Sequence, residues 1–169
     1  RCTDLELLKR EILLVKKALN KTNKNIFYKA YPTINPRYED KDPIYEYLNE
    51  KKLNIIQSKI DSRYICKKYS LILCSTATST LSWAISSKKP LIFINYIDRS
   101  PLTKNAYNSF TKGFFLFDYN NKNFHSSLLK FINLSLKDIN KLWSEKKLYR
   151  RDFINNYIST RSFKNDIDF

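Results

Sequence analysis

The chain has 169 residues, of which 31 are Lys or Arg and 16 are Asp or Glu, so its formal net charge is +15. This length suits a single domain with a sizeable core, and a hydrophobic content of 43% argues against disorder. The single glycine, Gly113, excludes glycine-rich phosphate loops, which need several glycines, and no apolar run is long enough to cross a membrane.

Apolar spacing along the chain predicts an alternation of helices and strands. Helices are predicted at residues 3–19, 43–51, 61–69, 78–87, 123–133 and 136–158, a short helix or loop at 103–110, and strands at 26–30, 53–57, 70–74, 91–96 and 114–118. Because the strands are short, continuously apolar and each followed by a helical segment, we expect a parallel sheet buried on both faces. The predicted fold class is α/β, a doubly wound parallel sheet of about five strands that ends in a long helix. Residues 1–160 form the predicted domain and residues 161–169 a tail.

The positive charge has two interpretations. Lysine outnumbers arginine 23 to 8, and the abundant residue types have AT-rich codons, so a solvated basic surface is one explanation. An acidic or phosphate-bearing partner is the other. Cys2, Cys66 and Cys74 are widely spaced and His125 is the single histidine, so we expect no metal site and a reduced, cytoplasmic chain.

A hydroxyl-rich segment follows the third predicted strand. Ligands of open parallel sheets bind at the carboxyl ends of the strands, and helix N-termini attract phosphate through unpaired backbone N–H groups. Residues 62–97 contain no acidic side chain, which also suits an anionic ligand. We therefore predict a phosphate site here, with simple helix capping as the alternative. The hydroxyl side chains of this segment are Ser75, Thr76, Thr78, Ser79 and Thr80.

Other polar residues follow the remaining strands. Lys29 lies near the end of the first strand, where it either adds a phosphate counter-charge or extends into solvent. Asp98 follows the fourth strand and either holds a sugar hydroxyl or forms a local ion pair. A basic cluster on the last helix indicates either contact with an anionic membrane surface or a solvated helix face. This cluster consists of Lys146, Lys147, Arg150 and Arg151.

The run DSRYICKKYSLILCSTATSTLSWAISSKKPLIFIN resembles the donor-nucleotide half of GT-B glycosyltransferases, in particular bacterial capsule and surface-polysaccharide transferases. In that pattern an Asp-Ser pair and a short helix precede a strand, and a Ser/Thr-rich turn opens a helix that leads to Gly-Lys-Pro. The segment YKAYP is similar to the pattern's Lys-Pro-His-Pro. Three departures stand out: Tyr31 replaces the histidine, Lys88 replaces the glycine, and no glutamate occurs near Trp83.

The resemblance implies a Rossmann-like second domain of a longer two-domain protein, whose missing N-terminal domain would bind the acceptor. A nucleotide sugar would bind with its phosphates at residues 75–80 and Lys29, without a metal or other cofactor, and the domain alone would turn over little. We expect the remaining nucleotide and sugar contacts at Tyr31, Arg37, Ser58, Lys59, Ile60 and Asp98. The alternative is a non-catalytic basic α/β module for nucleic acid or an anionic glycan. Nucleic acid is disfavoured because the aromatic residues occupy apparent core positions.

Overall fold

The computed structural model describes residues 4–29, 44, 47–48, 53–56, 62–75, 77–99 and 101–158. Contacts divide the chain into two compact units. The first unit comprises residues 1–60 and 123–133, and the second comprises residues 61–122 and 134–169. The expectation of one domain over residues 1–160 stays a prediction, and each unit is described by itself below.

The first unit contains helices α1 (Asp4–Lys17) and α5 (Phe124–Ile132) and a small parallel sheet. Helix α1 is followed by a 3-10 turn at Leu19–Lys21, and strand β1 (Phe27–Lys29) pairs with β2 (Asn54–Ile56). Helix α5 packs against α1. Beyond the end of α5, Asn133 Oδ1 accepts hydrogen bonds from Thr22 Oγ1 at 2.7 Å and from the backbone N–H of Asn23 at 3.2 Å. These bonds anchor the end of the helix to the segment after α1.

The second unit contains a three-stranded parallel sheet. Its strands β3 (Ile72–Cys74), β4 (Leu91–Asn95) and β5 (Phe115–Asp118) lie in the order β3-β4-β5. All five residues of the central strand β4 are buried, as its continuous apolar sequence requires. The helices of this unit are α2 (Ser62–Ile65, continued by a 3-10 turn at Cys66–Lys68), α3 (Ser79–Ser86), α4 (Lys104–Gly113), α6 (Leu136–Glu145) and α7 (Lys147–Tyr157).

Aromatic side chains join the helices of the second unit to its sheet. Phe110 on α4 stacks on Phe114 with ring centroids 4.4 Å apart, and the edge of Phe153 on α7 meets Phe110 at 5.1 Å. Trp143 on α6 lies 5.9 Å from Phe114 and 5.8 Å from Phe115. Such edge-to-face and stacked pairs add specific geometry to the burial of large apolar surfaces.

The five strands form where the apolar runs predict them, and the fold class is α/β with parallel pairing, compatible with a Rossmann-like class. The expectation of one sheet of about five strands is wrong, because the strands divide into sheets of two and three. The first strand pair has exposed residues at its start: Phe27 is 48% exposed and pairs with the exposed Asn54. An apolar run indicates a strand, but the partner of that strand depends on contacts between distant residues.

The predicted long helix over residues 136–158 is also wrong, because it is interrupted at Lys146. Lys146 has φ −87° and ψ 4°, and its Nζ donates to the carbonyls of Thr111 and Lys112 at 3.0 Å. Those carbonyls end helix α4, so the lysine caps a negative helix end. The sequence around the break lacks Gly and Pro, so local propensity favours a continuous helix and the capping contacts overrule it.

Arg150 also stabilises the junction between α6 and α7. Its side chain is 6% exposed, and its Nη1 donates to the carbonyls of Trp143 at 2.8 Å and Gly113 at 3.4 Å. The guanidinium also lies 3.6 Å from the centre of the Trp143 ring. Burial lowers the pKa of Arg150 to about 10, so it stays charged at neutral pH. The cation therefore stabilises the C-terminal ends of both α4 and α6.

Gly113 permits α4 and α7 to approach each other closely. A Cβ atom added at Gly113 would lie 3.0 Å from Arg150 Cα, 3.1 Å from Arg150 N and 3.3 Å from the carbonyl carbon of Tyr149. These atoms belong to the backbone of α7, which cannot move aside as the end of a flexible side chain could. The single glycine of the chain thus serves helix packing.

We expect Gly113→Ala to lower the free energy of unfolding. Overpacking against backbone costs about 1–3 kcal/mol, which exceeds the roughly 1 kcal/mol that alanine gains in helix propensity. Asn108→Ala on the exposed face of the same helix is the control and should be neutral or slightly stabilising. Urea unfolding of both variants measures the difference. A Gly113→Ala protein as stable as the Asn108→Ala protein would contradict the close approach.

Candidate functional site

The hydroxyl-rich turn lies at the carboxyl end of β3, where the strand leads into α3. Ser75 follows the strand directly, Thr78 precedes the first helical residue, and Ser79 begins the helix. Ser75 and Thr80 are half-buried, whereas Thr78 and Ser79 are exposed. Helix α3 therefore presents its N-terminal N–H groups at a strand end, together with accessible hydroxyl groups.

Thr78 does not cap α3 with its side chain, although it occupies the capping position. Its backbone carbonyl accepts the first helical hydrogen bond from the Leu81 N–H at 2.9 Å. At the start of α4, by contrast, the Thr103 hydroxyl accepts from the Ala106 N–H at 3.3 Å, and Ser135 caps α6 in the same way. The simple capping explanation thus fails for Thr78, and its hydroxyl is available to a ligand.

No acidic residue occurs in the first turn of α3, so the partial positive charge of the helix end is not neutralised from within the helix. Cys74, the last residue of β3, is not a nucleophile at neutral pH. Burial, assisted by the nearby Cys66, raises the pKa of the Cys74 thiol to about 12, so the sulfur stays protonated. The N-terminus of α3 is therefore the part of this edge that is suited to binding an anion.

A polar cluster lies at the carboxyl ends of the two neighbouring strands. Asn95 ends β4 and Asp118 ends β5, and the two residues are partners in the strand register. Asn95 Nδ2 donates to Asp118 Oδ1 at 2.6 Å, and the Tyr107 hydroxyl on α4 donates to Asp118 Oδ2 at 2.6 Å. The carboxylate is held from both sides, and its further lone pairs can accept from hydroxyl groups of a ligand.

Asn95 carries an acceptor that no described residue satisfies. Its Oδ1 atom is buried, and the side chain is 2% exposed. Buried amide oxygens nearly always accept a hydrogen bond, from the protein or from another molecule. The atom can therefore accept a hydrogen bond beside the carboxylate of Asp118.

The remaining predicted site residues fall in three places. Lys29 ends β1 in the first compact unit and is half-buried, so its role as a counter-charge stays a prediction. Asp98 is exposed in the turn after β4, at the carboxyl edge of the second sheet. Outside the described residues lie Thr76, Tyr31, Arg37, Ser58, Lys59 and Ile60.

Asp118 is an acid at a strand end that sequence reasoning did not single out. Asp98, the acid predicted after β4, stays a prediction, and both residues lie at the carboxyl edge of the second sheet. An aspartate that ends an otherwise aromatic strand was the available signal. Tyr107 gave none, because its contact with Asp118 depends on how α4 packs.

Lys88 has a backbone conformation that favours glycine. It follows α3 and has a φ of 60°, in the left-handed region that residues other than Gly, Asn and Asp rarely occupy. The resemblance places a glycine at this position, and the backbone explains why glycine would suit it. Pro90 then follows and cannot continue the helix.

The described residues hold no group of three or more potential metal ligands. Within the same residues, no helix is both long and apolar enough to cross a membrane. No protein-family model, curated protein or solved structure matches the chain.

We expect Asp118→Asn to lower the pKa of Tyr107. The hydrogen bond to the carboxylate is the main cause that raises this pKa, followed by burial, so its loss should return the tyrosine towards its ordinary value of about 10. Titration of ¹³Cζ-labelled tyrosine by NMR measures the change, and Tyr107→Phe identifies the resonance. An unchanged titration midpoint in Asp118→Asn would contradict the contact.

The same contact makes stability depend on pH. Because the pKa of Tyr107 is raised on folding, its contribution is complete below pH 10 and is lost as the pH rises through the folded-state pKa. Tyr107→Phe should therefore lower the free energy of unfolding by about 1 kcal/mol at pH 8. The difference from the unaltered protein should shrink above pH 10, whereas a pH-independent difference would indicate lost packing instead.

Proposed function

We propose that the chain is the donor-binding half of a glycosyltransferase that acts in the synthesis of bacterial surface polysaccharide. A nucleotide sugar binds across the carboxyl ends of the strands of the second unit. The observation that carries the proposal is the N-terminus of α3, where Thr78 leaves both its hydroxyl and the helix N–H groups available at a strand end. The run of residues 61–95 that resembles GT-B transferases includes this turn.

The turn would hold the phosphate or diphosphate of the donor. Backbone N–H groups and the hydroxyls of Ser75, Thr78 and Ser79 can donate to its oxygen atoms, and Thr76 and Thr80 are further proposed contacts. Charge accumulates on the leaving nucleotide as the glycosidic bond breaks. Fixed donors and a helix dipole stabilise that charge in the transition state, so the proposed mechanism needs no metal.

The carboxylate of Asp118 is the proposed contact for ribose or sugar hydroxyls. In the resembling transferases a glutamate on the helix after the Ser/Thr turn would make such contacts, and this chain has Trp83 and Ala84 in that region. Asp118 ends a neighbouring strand of the same sheet and is held rigidly by Asn95 and Tyr107. The buried Oδ1 of Asn95 offers a second acceptor beside it.

A complete enzyme would need an acceptor-binding domain, which the proposal places in the rest of a longer protein. The catalytic base would come from that domain, so this chain alone should bind donor and turn over little. A location at the inner face of the cytoplasmic membrane would bring the proposed enzyme to both its nucleotide-sugar donor and the growing surface polysaccharide.

Calorimetry on the intact chain tests the proposal with UDP, CDP, CMP and GDP and their sugar derivatives. We expect one nucleotide to bind and the double variant Thr78→Ala, Ser79→Ala to bind it about tenfold more weakly, since each lost hydrogen bond to a charged group is worth about 1.5 kcal/mol or more. The free energy of unfolding should change little, because Thr78 does not cap the helix through its side chain.

Thr103→Ala is the matched control. Its hydroxyl caps α4, so its loss should lower the free energy of unfolding by about 1 kcal/mol and leave nucleotide affinity unchanged. The proposal fails if no nucleotide binds, or if the double variant binds as tightly as the unaltered chain. Tight RNA binding with a steep salt dependence would favour a basic binding module instead.

A further inference from the structure

A cavity of about 270 Å³ lies beside the junction of α6 and α7, at the far end of α3 from the hydroxyl-rich turn. It is lined by Ile85, Lys88, Trp143, Ser144, Lys147 and Arg150. Three of these side chains are cationic and none is acidic. We propose that this cavity binds the phosphate group of a small phosphate ester about the size of a monosaccharide phosphate.

Arg150 is the first observation behind this proposal. The side chain is 6% exposed, and the hydrogen bonds of its guanidinium to described residues both come from Nη1. Its Nε and Nη2 donors bond no described residue, and they are accessible rather than buried. An anion in the cavity that Arg150 lines would accept charge-assisted hydrogen bonds from these donors.

The start of α7 is the second observation. This helix of 11 residues has no side-chain cap and no acidic residue in its first turn. Its first backbone bond runs from the Arg150 N–H to the carbonyl of Lys146 at 3.0 Å, so the preceding N–H groups of the turn remain for another acceptor. Lys147 lies in that turn and lines the cavity, where its charge adds to the positive helix end.

Lys88, after the end of α3, adds a third cation to the cavity lining. Its left-handed backbone conformation, with a φ of 60°, turns the chain at the end of α3 and costs conformational energy. A glycine there would be free of that cost. The Lys88 side chain lines the cavity and adds positive charge to it.

The cavity's size and composition define the ligand. A volume of about 270 Å³ exceeds what a phosphate group fills and is near the lower end of the roughly 300–1,000 Å³ of small-molecule sites. The apolar side chains of Ile85 and Trp143 also line it, and they offer a wall for the carbon skeleton of an ester. The cationic groups would hold the phosphate, and Ser144 could bond a hydroxyl group.

This site is distinct from the proposed donor site. Helix α3 has eight residues and is therefore about 12 Å long, with the hydroxyl-rich turn at its start and Ile85 and Lys88 at its end. The start of α3 follows the carboxyl end of β3, whereas the chain after Lys88 enters the amino end of β4. The two sites thus lie at opposite edges of the same sheet.

Calorimetry and thermal unfolding of the intact chain test the site with inorganic phosphate and glucose 6-phosphate in 150 mM sodium chloride. We expect saturable binding of the sugar phosphate, tighter than that of phosphate, and a higher unfolding temperature in its presence. Lys147→Gln and Lys88→Gly should each weaken binding about tenfold, the loss expected when a charged hydrogen-bonding group is removed. Lys88→Gly should unfold at the same temperature as the unaltered chain or higher, so it separates lost binding from lost folding.

Arg151→Gln is the matched control, because it removes the same charge from an exposed position of the same helix. It should leave binding unchanged, as should the double variant Thr78→Ala, Ser79→Ala. The proposal is overturned if neither compound binds saturably, or if Arg151→Gln weakens binding as much as Lys147→Gln does. The donor proposal is unaffected by either of these results, since it is tested by nucleotide binding.

Vesicles that contain phosphatidic acid distinguish a lipid source of the phosphate group from a free one. Leu148, next to Lys147, is 62% exposed and could enter a bilayer surface. Vesicle binding that depends on Lys147 and Lys88 but not on Arg151 would retain the phosphate site and assign it to a lipid head group. Vesicle binding weakened equally by all three variants would reflect general basic charge and would count against the site.

Discussion

The second compact unit depends on the capping of two helix ends by two cations from one chain segment. Lys146 donates to the last carbonyls of α4, and Arg150 donates to both Gly113 and Trp143. The helix ends carry partial negative charge, so these bonds satisfy carbonyl groups and favour the buried cation at once. The lack of a side chain at Gly113 makes the arrangement sterically possible, because any Cβ would meet the backbone of α7.

The same junction determines the geometry of the strand-end cluster. Helix α4 ends at Gly113 and β5 begins at Phe115, so the position of the helix end sets the start of the strand. Tyr107 lies six residues before Gly113 on that helix and reaches Asp118 at the far end of β5. Because both ends of this helix–strand pair are fixed, Tyr107 and Asn95 can hold the carboxylate without a ligand. Such preorganisation lowers the cost of binding.

The parts of the structure that follow from local sequence could be predicted, and those that follow from distant contacts could not. Short apolar runs indicated every described strand, and the hydroxyl-rich run correctly indicated the start of α3. The break at Lys146 escaped prediction because its cause lies about 35 residues away in sequence, at the end of α4. The division into two sheets escaped for the same reason, since apolar runs do not encode strand partners. For the Asp118 cluster, the strands were expected from the sequence, but the contact from Tyr107 was not.

The net charge of +15 therefore has more than one physical origin. Lys146 and Arg150 are structural cations whose charges complete helix ends, so they are not part of a diffuse basic surface. Lys88 and Lys147 line a cavity whose described lining contains no acidic residue, and both side chains are exposed. At the other end of α3 the expected anion site uses hydroxyl and N–H groups with no cation of the same helix. The proposed anion site at the carboxyl edge would thus rely on dipoles, whereas the proposed site at the amino edge would rely on full charges, and salt should weaken binding at the second site more than at the first.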